Sequence, residues 1–171
     1  MLTPEDVAVL AAIQERSYAR AGPGIRESYP RSRTMDAGRL AAFLDSRRYA
    51  VLATSRPDGR PQAAPLAFVI WTGAFWFASV RGARLRNLRA RPYASVVLTE
   101  GEGSSHRAVI SEGSVVLHEV RDEASLAPEF RRRWIDRHGD APAWAVALIE
   151  LRPDRLFSYD ATAQGSRDKE Q

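Results

Sequence analysis

The stretch "RPDGRPQAAPLAFVIW", Arg56–Trp71, decides how this 171-residue chain is read. Its first half is turn chemistry. Asp58-Gly59 between apolar runs is a strong hairpin signal. Its second half is a long apolar strand, yet it carries Pro61 and Pro65. Proline has no N–H to donate to a β-ladder, so it belongs at strand starts, edges or bulges. Pro61 sits at a start. Pro65 sits inside, where it marks either an ordinary bulge or a break in the ladder that frees neighbouring backbone groups for a flat heterocycle.

Working outward, "RYAVLATS" (48–55) is the strand before the turn and 61–71 is its return. "TG" (72–73) makes another tight turn into "AFWFASV" (74–80). Leu66, Phe68 and Ile70 form one apolar face of the second strand; Ala67, Val69 and Trp71 form the other. A sheet with one wet face alternates, so this meander is expected to be covered on both sides, its outside by a partner. "YASVVLTE" (93–100) and "HRAVISEGSVVLHEV" (106–120) follow as strands, and Gly113 marks a bulge or bend. "AWAVALIELRP" (143–153) is the sixth strand, with 154–160 extending or following it.

Helices are expected at 3–20, 36–47, 81–92 and 122–138. Thr3 is an N-cap followed by Pro4, Glu5 and Asp6, and Thr34 or Asp36 caps the second. "AGPGIRESYPRSRT" between them is a loop or an arm. The last eleven residues are expected to be disordered. The sum is a mainly β (α+β) fold, a six-stranded antiparallel barrel with flanking helices.

Composition narrows the function. Apolar residues make up 44% and charged residues 27%, as in a soluble globular domain. No apolar run approaches the roughly 18 residues of a membrane helix, and the acidic N-terminus is unlike a signal peptide. There is no cysteine, which removes disulfides and thiolate chemistry and fits a cytoplasmic protein. The net charge is +4, from 25 basic and 21 acidic residues, and Lys169 is the only lysine. That balance does not favour a nucleic-acid partner. His106, His118 and His138 have no metal-ligand spacing, and no GxSxG, Walker or GxGxxG motif occurs.

One segment carries anion-binding chemistry. In "SVRGARLRNL" (79–88) a strand ends at Ser79, Gly82 follows, and a helix starts among Arg81, Arg84 and Arg86. Free N–H groups at a helix start attract anions. Arg81 and Arg84, three apart, share a face. Cations there oppose the dipole unless an anion is bound.

Taken in order, Ala53-Thr54, Asp58-Gly59-Arg60-Pro61, Pro65, Arg84-Leu85-Arg86-Asn87-Leu88, Arg91-Pro92 and "ISEGSVVLHE" (110–119) resemble the pyridoxamine 5'-phosphate oxidase-like split barrels. The similarity covers residues 40–160. It implies an N-terminal helical region and arm (1–47), a flavin-binding split-barrel domain (48–160) and a tail (161–171). It implies a homodimer with FMN or the deazaflavin coenzyme F-420 at the interface. Arg84, Ser79 and Arg81 would hold the phosphate. Backbone from Ala64 through Pro65 and Leu66 to Ala67 would face the ring, with Gln62 nearby and Asn87 supporting the loop. The implied activity is hydride transfer to a small unsaturated or aromatic substrate, with no catalytic side chain singled out. Trp71, Trp76 and Phe77 are candidates to line its pocket. The alternative is a non-catalytic flavin, haem or tetrapyrrole carrier. Two departures separate the chain from a true pyridoxamine-phosphate oxidase. The C-terminal "ELRPDRLFSYD" lacks the substrate-phosphate motif, and Ala108 replaces a glutamine of the fifth strand. An Arg-rich arm at 26–33 is expected to meet an anionic tail.

Overall fold

The computed structural model describes residues 1–163. Six antiparallel strands close a barrel: β1 (Tyr49–Ser55), β2 (Pro61–Trp71), β3 (Ala74–Ser79), β4 (Tyr93–Glu100), β5 (Arg107–Glu119) and β6 (Ala147–Asp160). Their order around the barrel is β1-β2-β3-β6-β5-β4. Five α-helices accompany them: α1 (Pro4–Ala19), α2 (Pro23–Ser28), α3 (Ala37–Ser46), α4 (Ala83–Ala90) and α5 (Pro128–His138). No helix among the described residues is long and apolar enough to cross a membrane.

The barrel is not paired evenly. β2 meets β1 from Pro61 to Ala67 but meets β3 only from Phe68 to Trp71. The first seven residues of β2 therefore have one paired edge and one open edge. This is the split that positions the candidate site.

Inward side chains fill the barrel. Phe68, Phe75, Phe77, Leu52, Val96, Val109, Ile149 and Leu156 are buried there together with Leu10 of α1 and Leu40, Phe43 and Leu44 of α3. Each fully buried side chain of this kind is worth about 1.5–3 kcal/mol relative to exposure. α1 is capped by Thr3 and Asp6, whose side chain and backbone bonds are reciprocal, and begins with Pro4. Asp36 caps α3. Buried polar bonds tie α1 to β6: Tyr18 donates to the Ser158 carbonyl at 2.7 Å, and Leu156 N–H donates to Ser17 Oγ at 2.9 Å.

A second apolar cluster explains why β2 and β3 are apolar on both faces. Val69, Trp76, Ala78 and Leu148 on the outer face pack under Phe130 and Trp134 of α5. The cover expected from a partner is thus supplied here by the chain's own helix. Two other elements differ from the sequence reading. The strands at 143–153 and 154–160 are one strand starting at Ala147, and the extra residue, Asp154, bulges opposite Glu112 and Gly113. A Cβ on Gly113 would lie 1.9 Å from the Arg152 carbonyl oxygen, so this close approach needs glycine. The helix expected from 122 is a 3-10 turn at Glu123–Ser125 followed by α5.

The loop at 21–34 contains α2 and a 3-10 turn at Arg31–Arg33. Arg31 pairs with Glu15 at 2.7 Å and lies over the Tyr18 ring, and Arg33 donates to the Ala161 carbonyl. These two arm cations are spent within the chain rather than offered to an anionic tail. Of the expected tail, Ala161–Ala163 form a turn in which Thr162 N–H donates to Asp160. Residues 164–171 lie outside the described residues.

Candidate functional site

The site begins with the direction of peptide groups along β2. Arg56 N–H donates to Arg60 O at 2.9 Å, and Phe68 N–H to Arg48 O at 3.3 Å. Both pairs fit the β1–β2 register, in which Val51 faces Pro65 and Leu52 faces Ala64. Hydrogen-bonded and non-hydrogen-bonded pairs alternate in an antiparallel ladder. Even-numbered residues of β2 therefore point their peptide groups at β1, and odd-numbered ones point away. Gln62, Ala64 and Leu66 belong to the ladder. Ala63, Pro65 and Ala67 present their backbone to the open edge.

This corrects the reading of Pro65. The ladder to β1 runs through it without interruption, because its missing N–H lies on the open side. That edge offers N–H groups from Ala63 and Ala67 and carbonyls from Ala63 and Pro65; the Ala67 carbonyl belongs to the start of the β2–β3 ladder. Side chains of Ala63 and Pro65 are exposed beside it.

α4 closes the end of the barrel next to this edge. Leu85 and Leu88 are its buried face. Asn87, also buried, donates through one amide nitrogen to Thr54 Oγ1 at 3.0 Å and to Gln62 Oε1 at 2.9 Å. Those bonds fix α4 to the bases of β1 and β2. The helix N-cap is Gly82, in extended backbone with no side-chain cap, and Arg86 N–H closes on Gly82 O. The N–H groups of Ala83, Arg84 and Leu85 precede that first helical bond and have no capping side chain.

Arg84 is the unusual charge. It is half-buried and donates to Ser79 Oγ at 3.2 Å; Ser79 is itself buried at the end of β3. No carboxylate lies within ion-pair distance of it among the described residues. Burial alone holds its pKa below the usual guanidinium value. Other arginines behave differently. Glu15, Glu129 and Glu150 raise Arg31, Arg132 and Arg152 through hydrogen bonds. Arg137, also lowered by burial, donates to the Leu44 and Arg47 carbonyls and lies 3.8 Å from Asp45. A desolvated cation resting on a neutral hydroxyl has the chemistry to pair with an anion.

The remaining sequence candidates lie elsewhere. Arg81 is exposed and makes no side-chain bond to Ser79 or Arg84. Phe77 is inside the barrel core, and Trp76 is buried under α5, its indole N–H donating to the Trp71 carbonyl at 2.9 Å. These aromatics pack the fold rather than line an opening. The described residues contain no group of three or more His, Cys, Asp or Glu that could hold a metal. Two participants escaped the sequence reading. Thr54 receives the Asn87 bond, although Ala-Thr was noted only as a motif. Arg56 lines a cleft with Arg86, between α4 and the β1–β2 turn.

A model of the family described as pyridoxamine 5'-phosphate oxidase matches residues 37–160. The chain belongs to this family. Solved structures agree on the fold. A conserved hypothetical protein, Rv2991 from Mycobacterium tuberculosis, is 21% identical with a TM-score of 0.68, covering 84% of this chain and 96% of that one. A FAD-binding protein from Mesorhizobium loti is 24% identical, TM-score 0.56, covering 74% and 93%. A protein titled F420 reductase is 26% identical, TM-score 0.53, covering 67% and 93%. A search of curated proteins finds no match. In this pyridoxamine-phosphate-oxidase-like chain α4, which carries Arg84, is bonded through Asn87 to Gln62 at the start of the open edge of β2.

Proposed function

We propose that this chain holds a flavin-type cofactor, FMN or the deazaflavin F-420, in a homodimer and passes hydride between it and a small unsaturated or aromatic substrate. The observation that carries the reading is Arg84: a half-buried cation with no carboxylate in contact among the described residues, beside Ser79 and an uncapped helix start. Arg84 and Ser79 Oγ would bind the phosphate, with N–H groups at the start of α4. Ala67 and Ala63 N–H, and the carbonyls between them, would meet polar atoms of the ring. Small side chains along this edge leave room for a flat molecule. When bound, the cofactor supplies the hydride chemistry; the protein orients it.

Outward side chains support the dimer. Tyr49, Val51 and Tyr93 are 64%, 40% and 46% exposed on β1 and β4, next to exposed Ala63 and Pro65. An apolar patch of this kind beside a binding edge fits a subunit interface. A pyridoxamine-phosphate oxidase reaction is disfavoured further, since Arg152 is engaged by buried Glu150 at 2.7 Å and Arg155 faces Glu112 at 3.5 Å. These arginines are not free for a substrate phosphate.

The absence of any ionisable side chain from Ala63 to Ala67 supports a second reading, a carrier that binds without turnover. One experiment separates them. Absorbance and fluorescence titrations with FMN, F-420 and haem, with light scattering, are expected to show a dimer that binds a flavin. A monomer that binds tightly would refute the interface, and binding of haem alone would refute the flavin. A flavin complex that no reductant–acceptor pair turns over would establish the carrier.

A further inference from the structure

We propose that the cleft between α4 and the β1–β2 turn is a second anion subsite, which takes a further phosphate or carboxylate of the same cofactor. The inference rests on the cofactor reading above and narrows it: the ligand carries anionic groups beyond the single phosphate of FMN.

The cleft has a volume of about 550 Å³ and is lined by Arg56, Pro57, Asp58, Ala83, Arg86 and Asn87. Neither Arg56 nor Arg86 has a carboxylate within 4 Å among the described residues. Asp58, the one acid on the wall, is committed to Arg60 through bonds of 2.8 and 2.5 Å. The cleft therefore presents two guanidinium groups with no carboxylate in contact among the described residues: Arg56 before the β1–β2 turn, whose charge acts on Asp58 only at longer range, and Arg86 on a helix whose eight residues, "ARLRNLRA", include no acid. Unpaired cations converging on one concave surface favour an anionic ligand.

Helical geometry separates this cleft from the Arg84 seat. Residues two apart on an α-helix are rotated by about 200°. Arg84 turns toward Ser79 at the end of β3, while Arg86 turns toward the β1–β2 turn. The two guanidinium groups thus face different walls. A molecule with two anionic groups can engage both, by passing the start of α4. Gly82 leaves that path open, because a Cβ built there would meet no atom within 4 Å. Asn87 adds a polar contact between the two. Its amide nitrogen is committed to Thr54 and Gln62, so its carbonyl oxygen remains to accept from a hydroxyl of the connecting chain. A dinucleotide such as FAD, or a deazaflavin with a charged tail, has this character, and FMN does not.

The test compares FMN, FAD and F-420 by calorimetric or fluorescence titration against wild type, Arg86→Glu and Arg56→Glu. Wild type is expected to bind FAD or F-420 at least tenfold more tightly than FMN. Each charge reversal is expected to remove most of that preference and to change FMN affinity less than twofold. Equal losses for FMN and the longer cofactors, or no loss for either variant, would overturn the subsite. So would a wild type that prefers FMN. Failure of all three to bind would instead remove the cofactor reading itself. Both arginines are exposed, so the variants are expected to keep the wild-type melting temperature, which is measured alongside.

Discussion

Replacing Arg84 by methionine separates a binding role from a structural one, because the first predicts a loss of affinity and the second a loss of stability. Methionine keeps an unbranched stem and removes the charge. Among the described residues Arg84 has one side-chain partner, the Ser79 hydroxyl at 3.2 Å, and Ser79 retains the Val80 carbonyl at the same distance. The substitution gives up one hydrogen bond and relieves the desolvation of a half-buried cation. Each is worth on the order of 1 kcal/mol, so they nearly cancel. The free protein is expected to be within about 1 kcal/mol of wild type in urea denaturation. Cofactor binding should behave otherwise. A charged hydrogen bond to phosphate is worth about 1.5–3 kcal/mol, which at 1.4 kcal/mol per decade is a loss of roughly 12- to 140-fold in affinity. Titration of FMN or F-420 into both proteins reads this directly. A variant that unfolds early and binds normally once folded would refute the reasoning, since Arg84 would then be a structural residue. Unchanged affinity with unchanged stability would remove Arg84 from the site.

Three further perturbations test the frame that holds the site. Gly113→Ala places a Cβ against the Arg152 carbonyl; it is expected to cost about 3 kcal/mol in urea denaturation, and wild-type stability would show that the bulge yields freely. Asp6→Asn breaks a pair in which Asp6, 2% exposed, accepts from Gly73 N–H at 2.9 Å and Arg133 at 2.8 Å. Burial would raise its pKa, but bonds from Gly73, Thr3 and Arg133 outweigh that and lower it. Its stabilisation is thus present above the ordinary carboxylate range and is lost as pH falls through the lower folded value. The variant should lose about 3 kcal/mol near neutral pH and show a flatter acid limb; an unchanged acid limb would exclude this linkage. His138 is held below its usual pKa by burial, with Arg137 and Arg48 adding to the effect, although its bond to the Phe68 carbonyl opposes it. The unfolded chain then binds the proton more readily, so the wild type should lose stability as pH falls below about 6.5. His138→Gln should reduce that slope, and identical slopes would refute the assignment.

Much of the barrel was legible because its signals are local. The Asp58-Gly59 turn and the Thr72-Gly73 turn mark the meander directly. Thr72 and Gly73 take φ values of 54° and 69°, the left-handed pair that a tight hairpin requires. α1 and α3 announce themselves through Thr3, Pro4 and Asp36. The contact between Arg84 and Ser79 was legible because the two lie five residues apart. What was missed depends on long-range contact. α5 was expected only as a helix, and its Phe130 and Trp134 show in the fold that it roofs β2 and β3. Pro153 and Asp154 looked like a strand end, but Gly113 on the facing strand absorbs the bulge. The Asn87 bond to Thr54 spans 33 residues, and no local pattern encodes it.

The position of Pro65 now has a sharper physical account than an interrupted strand. An open strand edge is a template on which another strand can add. From Pro61 to Ala67 the outward peptide groups are those of residues 61, 63, 65 and 67, and two of these four are prolines. Only Ala63 and Ala67 can donate, and at about 3.3 Å per residue they lie roughly 13 Å apart. An added strand needs donors at every second residue, so it would find a gap at Pro65. A flat ligand with separated polar atoms can use the carbonyls between the two donors without needing the missing one. The same proline leaves the β1 ladder whole, because its nitrogen faces away from β1. One residue thus leaves the β1 ladder whole on one side and a gap among the donors of the open edge on the other. Arg84 at the adjoining start of α4 adds the charge that an edge of alanines and prolines lacks.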